Sequence, residues 1–254
     1  MDDTQPSGDA IIVVPCFDEE RRLPVAAYEA FAANVGPGTK LLFANDGSRD
    51  GTWGVLEGLR ERSPGVFLTH NLPQNMGKAE AVRQGILEAF KLNPGFVGYW
   101  DADLATPLDE IPGFLETLRA NPALDMVLGA RVQLLGRQIH RKMVRHYLGR
   151  IFATVASTFL RIKIYDTQCG AKIFRNTPRI REIFSRPFVT RWIFDVELLV
   201  RYTQACLAAE GHRGEEHICE IPLQKWEDVA GSKVKSRDFF KGFFEFLKIM
   251  RTYR

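Results

Sequence analysis

The 254 residues contain no uninterrupted apolar run near the roughly 20 residues needed to cross a bilayer, so any membrane role is peripheral. Cysteine is scarce: Cys16, Cys169, Cys206 and Cys219 show neither C-x-x-C spacing nor the density of a secreted disulfide scaffold. That pattern fits free thiols in a cytoplasmic protein, and zinc is disfavoured for the same reason. Excess charge is also missing, with 34 Lys+Arg against 31 Asp+Glu and a formal +3. A nucleic-acid binder is not indicated unless basic residues cluster locally. The 21 glycines have no period and no segment repeats, which excludes collagen-like and solenoid architectures. No G-x-G-x-x-G follows the first apolar run and no G-x-x-x-x-G-K-[ST] occurs, so dinucleotide oxidoreductases and P-loop NTPases are disfavoured. The start, Met1-Asp2-Asp3-Thr4-Gln5-Pro6-Ser7-Gly8, is polar and acidic where a signal peptide is basic and then apolar. Export is not expected.

What is present is a core. Hydrophobic residues make up 45%, with 18 Phe and 4 Trp, enough to bury one full α/β domain. Short apolar runs at 10–14, 41–44, 66–68, 96–100 and 126–128 read as strands buried on both faces. Between them, 22–35, 51–63, 78–91 and 108–120 carry helical periodicity. Strict alternation of this kind predicts a mostly parallel sheet with helices on its faces. After residue 130 the alternation breaks. Residues 137–163 interleave Arg137, His140, Arg141, Lys142, Arg145, His146, Arg150, Arg161 and Lys163 with apolar side chains, which fits a basic amphipathic helix. A second such segment closes the chain, with apolar residues at 239, 243, 246/247 and 250. Both suit core packing or a lipid interface.

In parallel sheets ligands sit beyond the carboxyl ends of the strands. Those positions are polar here: Pro15-Cys16-Phe17-Asp18-Glu19, Asn45-Asp46-Gly47-Ser48, 71–78, and Asp101-Ala102-Asp103. Each also suits a turn or helix cap. Asp101 and Asp103, two apart on an extended backbone, would point the same way and repel unless a cation lies between them. A hard divalent ion, Mg²⁺ or Mn²⁺, bridging to a diphosphate is the economical explanation.

Four motifs arrive in order: Pro15-x-Phe17-Asp18-Glu19, Asn45-Asp46-Gly47-Ser48-x-Asp50-Gly51-Thr52, Asn75-x-Gly77-Lys78-x-x-Ala81, and Asp101-x-Asp103. Here the chain resembles the family-2 inverting glycosyltransferases, whose GT-A fold is a Rossmann-like sheet that binds a nucleotide sugar at these places. Further motifs are similar to those of the dolichyl-phosphate β-glucosyltransferases and their prokaryotic polyprenyl-phosphate relatives. They are 166–174 (Asp-Thr-Gln-Cys-Gly-Ala-Lys-Ile-Phe), 191–199 around Arg191-Trp192 and Asp195, and Trp226 with Gly231-Ser232-Lys233. Two positions depart from the pattern: Phe17-Asp18 replaces Tyr-Asn, and Asn45 replaces the first Asp of the second motif. The N-terminal membrane anchor of the eukaryotic enzyme has no counterpart in the sequence.

The resemblance implies a division into a disordered tail at 1–9, a GT-A domain at 10–235, and an amphipathic helix at 236–254. Within the domain, 10–130 would bind the nucleotide sugar and 131–235 the acceptor. It also implies roles. Asp46 would accept from the base's ring N–H, Phe17 or the backbone around Pro15 would pack the base, and Glu19 would meet a ribose hydroxyl. Asp103, helped by Asp101 across Ala102, would hold the metal, while Lys78 and Arg131 neutralise phosphate charge. Asp166 would position the acceptor or stabilise developing positive charge, with Asp195 the rival carboxylate. Gln168, Arg191 and Trp192 would complete the sugar and acceptor pocket.

The implied activity is metal-dependent transfer of a hexose, favouring UDP-glucose as donor, onto a polyprenyl phosphate by a peripheral enzyme on the inner membrane face. GDP-mannose as donor, a hydroxyl acceptor and a non-catalytic nucleotide-sugar module are the alternatives, and a homodimer stays open. The basic segment at 137–163 lacks any zinc, helix-turn-helix or RNP-type signature, so nucleic acid is not an expected partner.

Overall fold

Alternation of side chains along β1 (Ser7–Cys16) divides the core into two layers. Ala10, Ile12 and Val14 face one side of the sheet; Ile11 and Val13 face the other. The computed structural model describes residues 7–140, 154, 156–227 and 236–253. Its main sheet has seven strands in the order β3-β2-β1-β4-β7-β5-β8. These are β2 (Thr39–Asn45), β3 (Phe67–Asn71), β4 (Pro94–Trp100), β5 (Met126–Ala130), β7 (Ala171–Arg175) and β8 (Ile218–Pro222) beside β1. All neighbours pair in parallel except β7, which runs antiparallel to both β4 and β5. β6 (Gln138–His140) and β9 (Lys225–Glu227) form a separate two-stranded ribbon.

Helices cover both faces. On one side lie α1 (Val25–Asn34), α2 (Thr52–Arg62) and α4 (Ile111–Ala120), which bury Tyr28, Leu56, Leu59, Phe114 and Leu118 against Ile12, Phe43 and Trp100. On the other lie α3 (Lys78–Phe90), α5 (Pro178–Ser185), α6 (Phe194–Glu210) and α7 (Ser236–Thr252). This three-layer α/β/α arrangement is the expected fold class. It leaves the loops after β1, β2, β3 and β4 at one end of the sheet, where the polar motifs sit.

Three details differ from the sequence-based expectation. β1 begins at Ser7, so the expected tail cannot extend through residue 9. Residues 138–140 are a strand rather than the start of a helix, because their backbone pairs with Lys225–Glu227. Thr154 and residues 156–160 are helical, while residues 141–153, which hold most of the expected basic face, lie outside the described residues. The third concerns α7. Gly242, Phe246 and Ile249 are buried, whereas Phe243 and Phe244 are exposed, so the docked stripe is rotated from the one read at 239, 243, 246/247 and 250. Burying Phe246 and Ile249 contributes about 1.5–3 kcal/mol each and fastens α7 to the domain.

Candidate active site

The loop after β2 organises its neighbours through side-chain oxygens. Asn45 Oδ1 accepts from the Ser48 hydroxyl at 2.6 Å, and Ser48 Oγ accepts the Asp18 backbone N–H at 3.0 Å. Thr52 Oγ1 accepts the Glu19 N–H at 2.7 Å, and Asp50 Oδ2 accepts the Glu20 N–H at 3.2 Å. The second motif thus clasps the first, holding Phe17, half-buried, and Glu19 just beyond the end of β1. Pro15, still within β1, pairs with Ala44.

Asp46 is 3% exposed, and its carboxylate is occupied. Oδ1 accepts from Met76 N at 2.7 Å; Oδ2 accepts from Gly77 N at 2.9 Å and Asn75 Nδ2 at 2.8 Å. Burial raises its carboxyl above the usual range, with the Met76 and Gly77 N–H groups opposing. The carboxylate braces the 75–77 turn. A side chain at Gly47 would collide with that turn, its Cβ falling 2.3 Å from the Gln74 carbonyl carbon. Asn75 then passes the link onward, its Oδ1 accepting from Arg191 Nη2 at 3.0 Å.

β4 ends at Trp100, so Asp101, Ala102 and Asp103 lie in a turn rather than on extended backbone, closed by Leu104 N donating to Asp101 O at 3.2 Å. The two carboxylates still influence each other. Burial, then the charge of Asp101, raises the Asp103 carboxyl above its ordinary value, with Ala105 N–H and Lys78 opposing. Asp101 pairs with Lys78 Nζ at 2.5 Å. Burial pushes the Lys78 ammonium down, but the charges of Asp101, Asp195 and Asp103 outweigh it and hold the lysine above its ordinary value. Ala102 is buried, and its carbonyl accepts from the Tyr28 hydroxyl at 3.0 Å.

The antiparallel strand brings the later motif to this turn. Ala171 pairs with Trp100, and Asp101 N donates to Gly170 O at 2.9 Å. Gly170 has to be glycine here: a Cβ would lie 1.8 Å from Asp101 Oδ2. Just upstream, the buried atoms Gln168 Nε2 and Thr167 Oγ1 have no hydrogen-bond partner. Such orphaned groups point to a ligand, since a buried unsatisfied donor costs about 1–3 kcal/mol.

Both candidate catalytic carboxylates are held by cations. Asp166 receives Arg131 Nε at 2.6 Å and Nη2 at 2.7 Å as a bidentate pair, together with Arg131 N and Gln168 N. Burial opposes the Arg131 charge, and Asp166 more than restores it. The guanidinium also lies 5.4 Å from the centre of the Trp226 ring. Asp195 sits deeper, at 3% exposure, accepting from the Tyr99 hydroxyl and from the fully buried Lys172. Lys172 Nζ also donates to the Thr167 and Cys169 carbonyls. Arg191 is exposed and lies across Gly77, while Trp192 is half-buried beside Gly242 of α7.

The structure therefore gathers Lys78, Asp101 and Asp103 into one charged cluster next to Gly170. It sets Arg131 and Asp166 in a second, and leaves Asp195 beneath the first. Three residues that hold these groups were given no role from the sequence. Glu220 accepts the Tyr165 and Asp166 N–H groups at 2.8 and 2.9 Å, and Glu245 of α7 accepts those of Arg191, Trp192 and Ile193. Lys172 is the third, and a lone lysine within the apolar Ala171–Phe174 run was the one visible signal.

The fold is shared with solved structures of glucosyl-3-phosphoglycerate synthase from Mycobacterium tuberculosis. The complex with UDP superposes with a TM-score of 0.66 at 17% identity, over 95% of this chain and 79% of that one. The complex with Mn²⁺, UDP-glucose and glycerol 3-phosphate gives the same score and identity. At the level of sequence, residues 11–186 match Glycosyl transferase family 2. Two dolichyl-phosphate β-glucosyltransferases are similar over nearly the whole chain. That of Trichomonas vaginalis is 32% identical, covering 95% of this chain and 73% of its own; that of Drosophila melanogaster is 34% identical, covering 90% and 70%. The chain belongs to glycosyltransferase family 2 and has the GT-A fold, as its motifs led one to expect. It is a glycosyltransferase.

Proposed function

We propose that this chain transfers a glucosyl group from UDP-glucose to a polyprenyl phosphate with inversion. The relatives named as dolichyl-phosphate β-glucosyltransferases favour glucose and a polyprenyl phosphate, and the fold neighbour solved with UDP-glucose favours the uridine donor. One structural observation supports a phosphate over a hydroxyl acceptor. Asp166 is paired with Arg131, and Asp195 with Lys172 and Tyr99, so donors already occupy both carboxylates where a base would need a free oxygen facing the acceptor. A lipid phosphate is already an anion and needs no base. Its oxygen attacks the anomeric carbon while the bond to the diphosphate breaks, and UDP leaves with the electron pair.

The chain's own groups have distinct tasks in this reaction. Lys78 and Arg191 line the diphosphate side, their positions set by Asp101 and Asn75. Arg131 uses two of its five N–H groups on Asp166 and offers the remainder to the acceptor phosphate. Asp166 is then a positioning residue. Gln168 Nε2 and Thr167 Oγ1 suit the sugar hydroxyls. Phe17, Glu19 and the backbone at Pro15 remain the proposed nucleoside contacts.

The Asp101–Asp103 pair fits a hard divalent cation such as Mg²⁺ or Mn²⁺: both ligands are oxygen, both residues are half-buried, and the two repel. Bound there, the ion would supply positive charge to the departing diphosphate.

Among the described residues, no helix is long and apolar enough to cross a membrane. The exposed Phe243 and Phe244 of α7, with Leu134 and Leu135 in the loop after β5, support peripheral contact at the inner membrane face of the cytoplasm.

The test is a donor screen with polyprenyl phosphate in detergent. Glucosyl-lipid from UDP-glucose in the presence of Mg²⁺ or Mn²⁺ is the expected result. Turnover of GDP-mannose alone would replace the donor assignment.

A further inference from the structure

At the end of the sheet opposite the D-x-D turn, four side chains converge that the transfer reaction does not use. Glu210 ends α6, His212 follows it, and Glu216 and His217 lie on the short 3₁₀ turn that leads into β8. Glu210 Oε2 is 3.4 Å from His217 Nε2 and 3.3 Å from His212 Nε2; Glu216 Oε1 is 3.6 Å from His217 Nε2. We propose that Glu210, Glu216 and His217 form a site for a divalent cation of the zinc type, with His212 outside it, its Nδ1 lying 2.8 Å from Glu216 Oε1.

The spacing carries the argument. Zinc bonds of about 2.0–2.1 Å in a tetrahedron place neighbouring ligand atoms about 3.4 Å apart. The separations of 3.4 and 3.6 Å between the two carboxylate oxygens and His217 Nε2 match that edge length. The ligand atoms of Glu210, Glu216 and His217 all lie within 4.8 Å of one another.

The outer contacts orient the set as metal sites require. His217 Nδ1 is 2.8 Å from the Ala123 carbonyl, which can only accept, so Nδ1 carries the hydrogen and Nε2 faces the carboxylates. Arg179 binds the other oxygen of Glu210, Oε1, and is itself anchored to Asp125. Asp125 in turn accepts from the buried Tyr202 hydroxyl of α6 at 2.8 Å. The two carboxylates would balance the charge of a divalent ion. The sequence argument against zinc rested on cysteine spacing, and this site uses no cysteine.

An ion here would tie the end of α6 to the turn before β8, close to the loop that enters β5. It is a structural clamp, separate from the oxygen-only pair at Asp101 and Asp103. Imidazolium–carboxylate pairs without metal are the competing account of the same geometry.

The full-length protein, stripped with chelator and held in excess Mg²⁺ to occupy oxygen-only sites, is titrated with ZnCl₂ by calorimetry. The wild type is expected to take up one equivalent and to gain thermal stability from it. His217→Ala and Glu210→Gln should weaken uptake by at least the roughly 10–100-fold that losing an outer-shell partner costs. Asp103→Asn should leave it unchanged. No uptake by the wild type, equal uptake by all variants, or loss in Asp103→Asn would each overturn the proposal. Should the first two variants fail to fold, Co²⁺ in the wild type supplies the readout: a tetrahedral cobalt spectrum is expected, and an octahedral one overturns the site.

Discussion

Asp166→Asn separates a positioning carboxylate from a catalytic base. In the wild type, Asp166 Oδ2 receives Arg131 N and Nε, and Oδ1 receives Arg131 Nη2 and Gln168 N. An amide in its place must aim its NH₂ at one of these donor pairs, and the negative charge facing Arg131 is gone. The side chains are 13% and 8% exposed, so water screens the pair little. Breaking such a buried pair from one side costs about 3–5 kcal/mol. At about 2–4 °C per kcal/mol for a domain of this size, Tm should fall by about 6–20 °C. Misplacement of Arg131 should lower kcat by up to about 100-fold. Scanning calorimetry gives the first quantity and steady-state kinetics across pH 5–9 the second. A positioning role predicts that the kcat–pH profile keeps its shape while its height drops. An unchanged Tm, or disappearance of the acidic limb of the profile, would refute the reasoning.

Three more predictions follow from the same geometry. Gly170→Ala forces a Cβ into the Asp101 carboxylate and should abolish metal-stimulated turnover, read as activity against Mn²⁺ concentration; wild-type metal response would contradict the close approach. Glu245→Ala frees three N–H groups at the start of α6, so stability should fall by about 1–2 kcal/mol and KM for the nucleotide sugar should rise through Arg191, with both measured on one sample. Burial and then the charge of Asp166 push the Cys169 thiol up to about 11. A raised thiol pKa means less thiolate at any lower pH. Iodoacetamide should therefore spare Cys169 at pH 8, label the half-buried Cys219 first, and reach Cys169 only as pH approaches its pKa, as mass spectrometry of the native protein can read.

The first half of the fold was legible because periodicity is local. The runs at 10–14, 41–44, 96–100 and 126–128 became β1, β2, β4 and β5, and the helical stretches became α1 to α4 with ends moved by a few residues. The later elements were not, because long-range pairing decides them. Nothing local says that Ala171–Arg175 inserts antiparallel between β4 and β5, yet that register sets Gly170 against Asp101. Candidate residues were legible as positions rather than as partners. Lys78, Asp101 and Asp103 do cluster, but the sequence could not reveal that Asp46 braces the Asn75–Gly77 turn. Nor could it reveal that Asp166 and Asp195 are already paired. Glu220 and Glu245 look like ordinary surface acids until the backbone groups they cap are known. The face that α7 buries was misread because its dense aromatics fit two adjacent stripes, and the Glu245 contacts fix which one docks.

The central claim is that the acceptor arrives as an anion and needs no base. The most direct measurement is single-turnover transfer from radiolabelled UDP-glucose to matched lipids, one a polyprenyl phosphate and the other the corresponding polyprenol. The account predicts an inverted glucosyl phosphate product from the first and none from the second. Comparable glucosylation of the polyprenol would contradict it.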